Sequence, residues 1–158
     1  MPSPFHPLTA VLQRLRAKPG IAQSDTLTSL PRVLLVDDSA VNQQSAAEQL
    51  ALLGIKPRIA DTGQLAVQMS RDMNFELILM NLEMRAMDGF ETAKQIRRLE
   101  ASLPGRVHVP MVAYSSSKWL LEVGALGRDI FDGILKKPCE ANALKACLLH
   151  HCSRISNR

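Results

Sequence analysis

Five short apolar runs alternate with stretches of helical length, and this alternation constrains the fold more than any other feature of the chain. The runs span residues 32–37, 57–60, 76–81, 110–114 and 131–136. Helical stretches follow at about 40–53, at 63–73, from near Phe90, at 116–126 and at 140–151. Gly54 stops the first helix, and Pro104-Gly105 marks a loop after the third. Strands that alternate with helices imply an α/β domain, a doubly wound parallel sheet covered by helices on both faces. The unbroken apolar segments 33–36 and 77–80 suit strands buried on both sides.

The chain has 158 residues, enough for one domain with a proper core. Aromatic content is only 4%, so that core must be aliphatic. The formal charge of +4 sits at the ends: residues 1–31 carry a net +2, Arg154 and Arg158 add two more, and 32–151 is near neutral. Nucleic-acid binding needs Lys and Arg clustered on one face, and charge counting gives it no support in the core. Cys139, Cys147 and Cys152 are odd in number and late in the chain, which is no disulfide framework. Reduced, buried thiols in a cytoplasmic protein are the expectation. No run is long enough to span a bilayer, and the N-terminus lacks a secretory signal.

The organisation read from the chain is an N-terminal extension over 1–31, a domain over 32–151 and a short basic tail over 152–158. Leu8, Val11, Leu12 and Leu15 stand at helix spacing and predict a helix over 7–18, with Pro7 at its first turn and a linker after it. An apolar stripe of this kind must be buried against the domain, a partner or a second copy of the chain.

Ligands of doubly wound sheets bind outside the carboxyl ends of the strands. Asp37, Asp38, Asn81, Ser115 and Lys137 all fall there. Oxygen ligands around a small cavity suit Mg²⁺. A lysine supplies a point charge for a phosphoryl oxygen, and a serine hydroxyl can bond the same group.

At these residues the chain resembles the receiver domain of two-component response regulators. The segments that carry the resemblance are Val33-Leu34-Leu35-Val36-Asp37-Asp38-Ser39 with Asn42, Leu77-Ile78-Leu79-Met80-Asn81-Leu82-Glu83-Met84 with Met87-Asp88-Gly89, Pro110-Met111-Val112-Ala113-Tyr114-Ser115, and Leu135-Lys136-Lys137-Pro138. The resemblance implies a flavodoxin-like fold with strand order 2-1-3-4-5 and five helices. It implies that Asp37 and Asp38 match the acidic pair that holds Mg²⁺, that Asn81 matches the phosphoacceptor aspartate, and that Ser115 matches the switch hydroxyl. Lys137 matches the lysine that contacts the phosphoryl group, and its bond to Pro138 is often cis in the family.

Three positions depart from the pattern. Asn81 is an amide where an acyl phosphate needs a carboxylate nucleophile. Ile134 falls where the family usually has a Tyr or Phe that turns inward on activation, and Arg85 falls where proline is common. Two carboxylates about 4 Å apart repel by about 4 kcal/mol at an effective dielectric near 20. The amide therefore relieves the acid cluster and weakens any Mg²⁺ site built on Asp37, Asp38 and Asn81. Together the departures describe a pseudo-receiver, a stand-alone module that signals by phosphorylation-independent protein contact and requires no cofactor.

Two other readings compete. In one, the chain is a phosphoaccepting receiver of a phosphorelay and Asn81 is an engineered replacement of aspartate; Ile134 and Arg85 argue against it, because a designed block would leave them alone. In the other, the chain is an aspartate-dependent phosphatase with Asp37 as nucleophile and Lys137 as phosphate clamp. The resemblance implies a protein partner, which is a histidine kinase, another regulator or an output protein, besides a possible homodimer. Trp119, early in the fourth helix, is a candidate interface anchor, or else packs on the N-terminal helix. Ser115 is either a relic of the switch or a cap for the helix that follows. Asp37-Asp38 has a plainer reading as a helix N-cap cluster. Cys147 and His151 share a helix face, but no second pair of ligands has zinc spacing.

Overall fold

The computed structural model describes residues 30–116 and 123–152. Nearly all of the N-terminal extension, including the 7–18 helix, lies outside the described residues, as do Trp119 and the tail from 153 onward.

Five parallel strands form one sheet: β1 Val33–Val36, β2 Arg58–Ala60, β3 Leu77–Met80, β4 Met111–Ser115 and β5 Gly133–Lys136, in the order β2-β1-β3-β4-β5. The helices are α1 Ala40–Leu52, α2 Gly63–Asp72, α3 Gly89–Ser102, a helical segment at 123–126 (α4) and α5 Ala141–Cys152. The fold and strand order are those expected. Every residue of β1, β3 and β4 is buried, because these central strands are covered on both faces. The edge strands β2 and β5 each bury a single side chain, Ala60 and Leu135.

Strand ends differ from the expectation by one or two residues. Pro110 has no N–H to give the ladder, so β4 begins at Met111, although the Pro110 carbonyl accepts from Ile78 N. The last strand begins at Gly133 rather than 131, because Ile130 and Phe131 donate to the Gly127 carbonyl in a turn. Ser116, expected to open the fourth helix, lies outside any helix; the next six residues fall outside the description.

Local chemistry fixes the helix starts. Ser39, Thr62 and Asp88 are N-caps whose side chains accept from Asn42 N, Leu65 N and Glu91 N, which satisfies donors that the first turn would otherwise leave open. The acidic pair is therefore not the cap of α1; Ser39 is. Gly54 (φ 77°) ends the α1 turn in the left-handed region. The core between the sheet and the α2/α3 layer is mainly aliphatic, with Leu34, Val36, Ile78, Met80 and Ile96 closed over by Phe75 and Phe131. Phe90 meets Phe131 edge to face at 5.6 Å between centroids.

At the amino ends of β4 and β5 an ion network ties α3 to the sheet. Arg97 donates to Glu100, to Asp132 Oδ2 and to the carbonyls of Ile130 and Val109. Asp132 Oδ2 also accepts from Met111 N, and His108 Nε2 lies 2.9 Å from Asp132 Oδ1. Burial pushes the Asp132 carboxyl up, but the Met111 N–H, His108 and Arg97 outweigh it and hold it below its ordinary value.

Candidate functional site

The carboxyl ends of β1, β3, β4 and β5 bring the five expected polar residues, Asp37, Asp38, Asn81, Ser115 and Lys137, to one rim of the sheet. Asp37 follows β1 and is fully buried. Its Oδ1 accepts from Ser39 N (2.9 Å) and from Asn42 Nδ2 (3.4 Å). Its Oδ2 pairs with Lys137 Nζ at 2.5 Å. Lys137 reaches across from the end of β5, where its own N–H bonds the Ser115 carbonyl (2.8 Å), and its Nζ sits 4.7 Å above the centre of the Tyr114 ring. Burial, with Cys139 and Asp37 nearby, pushes the Tyr114 phenol up to about 12, so it stays a neutral hydroxyl. The Lys137–Pro138 bond is cis.

Asp38 is held by a residue that the sequence marks only as a departure. Its Oδ2 accepts from Arg85 N (3.0 Å) and faces Arg85 Nε (3.6 Å). The Arg85 side chain is 91% exposed, so the charge contact is screened, whereas the main-chain bond is fixed by the loop. A proline at this position could not make that bond, because it has no N–H.

Asn81 follows β3, and its N–H bonds the Val36 carbonyl (2.9 Å). Its side-chain amide closes on one neighbour: Nδ2 donates to the Glu83 carbonyl (2.8 Å) and Oδ1 accepts from Glu83 N (3.3 Å). A carboxylate could make only the second of these bonds. Gly89 fixes the exit of the loop, since a Cβ there would lie 2.2 Å from the Asn81 carbonyl oxygen.

Ser115 ends β4 with a fully buried side chain, and its Oγ has no hydrogen-bond partner among the described residues. The neighbouring hydroxyl of Ser116 instead bonds Glu83 Oε1 (3.1 Å). Ile134 lies on β5, 47% exposed and away from this cluster's bonds. Trp119 lies outside the described residues.

The donors are oxygen-rich, as Mg²⁺ requires. Asp37 is paired with Lys137, Asp38 with Arg85, and Asn81 is neutral, so the residues as arranged fit a divalent cation poorly. Among the described residues no group of three or more His, Cys, Asp or Glu is placed to hold a metal. Cys139, Cys147 and Cys152 are free thiols, and burial pushes Cys147 up to about 11 and Cys152 to about 12, which makes them poor thiolates. Arg85 and Tyr114 are the contributors that sequence reasoning missed. The departure from proline was the visible signal for Arg85; Tyr114 stood within a matching segment, but nothing there pointed to its contact with Lys137.

Comparison with known proteins agrees with this fold. The chain is 28% identical over 152 residues to probable histidine kinase 3 of Oryza sativa subsp. japonica, covering 84% of this chain and 15% of that protein. It is 32% identical over 118 residues to the autoinducer 1 sensor kinase/phosphatase LuxN of Vibrio campbellii, covering 75% of this chain and 13% of that protein. The chain thus spans only a small part of these curated relatives. Among solved structures, the receiver domain of a Pseudomonas aeruginosa sensor histidine kinase, with magnesium coordinated in its active-site cleft, superposes with a TM-score of 0.69 at 23% identity, over 79% of this chain and 99% of that one. The Saccharomyces cerevisiae complex of the histidine phosphotransfer protein Ypd1 with the Ssk1 receiver domain matches at 26% identity and a TM-score of 0.68, over 79% of this chain and 92% of that one. The model of the response regulator receiver domain matches residues 33–149, most of the chain, and the chain belongs to that family.

Proposed function

We propose that this receiver domain of two-component signalling is a pseudo-receiver, which passes its signal by protein contact and not by accepting phosphate. One observation carries the reading: the amide of Asn81, at the acceptor position, is engaged on both sides by the Glu83 backbone and offers no nucleophilic oxygen. Ile134 cannot replace the aromatic switch, and its exposed position on β5 supports a surface role instead. Incubation with acetyl phosphate and Mg²⁺ followed by intact-mass measurement is expected to leave the chain unmodified. A stoichiometric adduct at position 81 would sink the reading and favour the phosphoaccepting alternative.

No cofactor is required for this role, and the chain is not an enzyme. Asp37 is unsuited to be the nucleophile of a phosphatase, because it is fully buried and already paired with Lys137. Among the described residues no helix is long and apolar enough to cross a membrane, and the proposed location is the cytoplasm. The partner is a histidine kinase, a phosphotransfer protein or an output protein; Ssk1's receiver, a structural relative, is seen bound to Ypd1. Capture of the same partner by wild type and by Trp119→Ala at equal yield would remove Trp119 from the proposed interface.

A further inference from the structure

The cleft beside the acidic pair has room for a hydrated ion. It measures about 400 Å³ and is lined by Asp38, Asp61, Thr62, Met84, Arg85 and Met87. What opposes a cation at Asp38 is charge, not space. Of the lining residues, Asp38 and Asp61 are acidic and Arg85 is the cation among them, paired with Asp38; the neighbouring Asp37 is matched by Lys137. A divalent cation that gives up water needs an excess of negative oxygen to replace it.

The two internal cations differ in how readily they yield. Asp37 is fully buried, and separating it from Lys137 strands its charge away from solvent. The Arg85 guanidinium is exposed and weakly held, but its main-chain N–H also bonds Asp38. The loop after β3 is pinned at its start by the Asn81–Glu83 ring and at its end by Gly89, which donates to the Leu82 carbonyl (3.1 Å) and packs against Asn81.

We infer that Arg85 is a positioning residue that keeps divalent cations out of this pocket: its N–H and guanidinium both engage Asp38 Oδ2, and both residues line the cleft. The inference deepens the pseudo-receiver reading and rests on it for the identity of the pocket.

The test is calorimetric titration of the full chain with MgCl₂ at constant ionic strength, without any phosphodonor. Arg85→Ala removes the guanidinium and keeps the N–H; Arg85→Pro removes both. Mg²⁺ affinity is expected to rise roughly two- to fivefold in R85A, the scale of a screened ion pair, and further in R85P, where the main-chain bond is lost as well. Adding Asp38→Asn to either variant is expected to abolish the gain, which a merely structural role of Arg85 would not produce. Equal isotherms for wild type and R85A, whether both bind or neither does, overturn the inference, and so does a gain that survives Asp38→Asn. R85A carries the test if R85P does not fold. An adduct at position 81 would overturn the pseudo-receiver reading and leave this result standing.

Discussion

The two ends of the same sheet solve the same electrostatic problem in different ways. At the amino ends of β4 and β5, Arg97 makes bonds to two carboxylates and two carbonyls, and Asp132 accepts from a side chain and from the backbone of β4. At the carboxyl ends, each acid has a single cation, the amide of Asn81 closes on its own loop, and the buried Ser115 hydroxyl has no partner among the described residues. Charge counts do not tell a structural network from a ligand site. The degree of satisfaction does: a cleft opens beside each end, but the carboxylates of the first network are all met by protein donors, whereas the second keeps the buried Ser115 hydroxyl without a partner among the described residues.

The sharpest way to break this contrast is to remove one cation from each end. Lys137→Ala leaves the fully buried Asp37 uncompensated and is expected to cost about 3 kcal/mol or more in chemical denaturation. Arg97→Ala should cost roughly 2–3 kcal/mol, because Glu100 and Asp132 retain other donors in Val109 N, Met111 N and His108. A larger loss for Arg97 than for Lys137 would reverse the ranking of the two ends.

Asn81→Asp sharpens the contrast within the rim. The carboxylate loses the donor to the Glu83 carbonyl and meets that oxygen with negative charge, so a loss of about 1 kcal/mol is expected in the absence of metal. A more stable N81D protein would mean that the amide is not fitted to its loop. The smallest effect is the acid limb of stability. The folded Asp132 carboxyl lies below its unfolded value, so its contribution is full above the unfolded value and fades as pH falls through the folded one. Denaturation measured against pH for wild type and Asp132→Asn should converge at low pH and separate above it; parallel curves would show that Asp132 contributes nothing through ionisation.

Much of the site was legible because it is built on strand ends. Asp37, Asn81 and Lys137 each follow an apolar run, and doubly wound topology places such residues on one rim. Arg97, Glu100, His108 and Asp132 were not legible as a group. They come from a helix, a loop and a turn, and no spacing rule links a helix residue to an aspartate 35 positions later. The same limit hid the contact of Arg85 with Asp38 across 47 positions. Its identity as a non-proline was plain; which acid its N–H would meet was not.

By itself the sequence determined the alternation of strands and helices, the aliphatic core and the set of polar residues at the carboxyl rim. Hydrophobic periodicity and turn chemistry act over a few residues, and a linear reading captures them. Only the tertiary structure decided how the charges are shared. It gives Lys137 to Asp37, Arg85 to Asp38 and the Asn81 amide to Glu83. That partition depends on distances of a few ångströms between segments far apart in the chain, where Coulomb attraction and desolvation are settled by packing and not by order along the sequence.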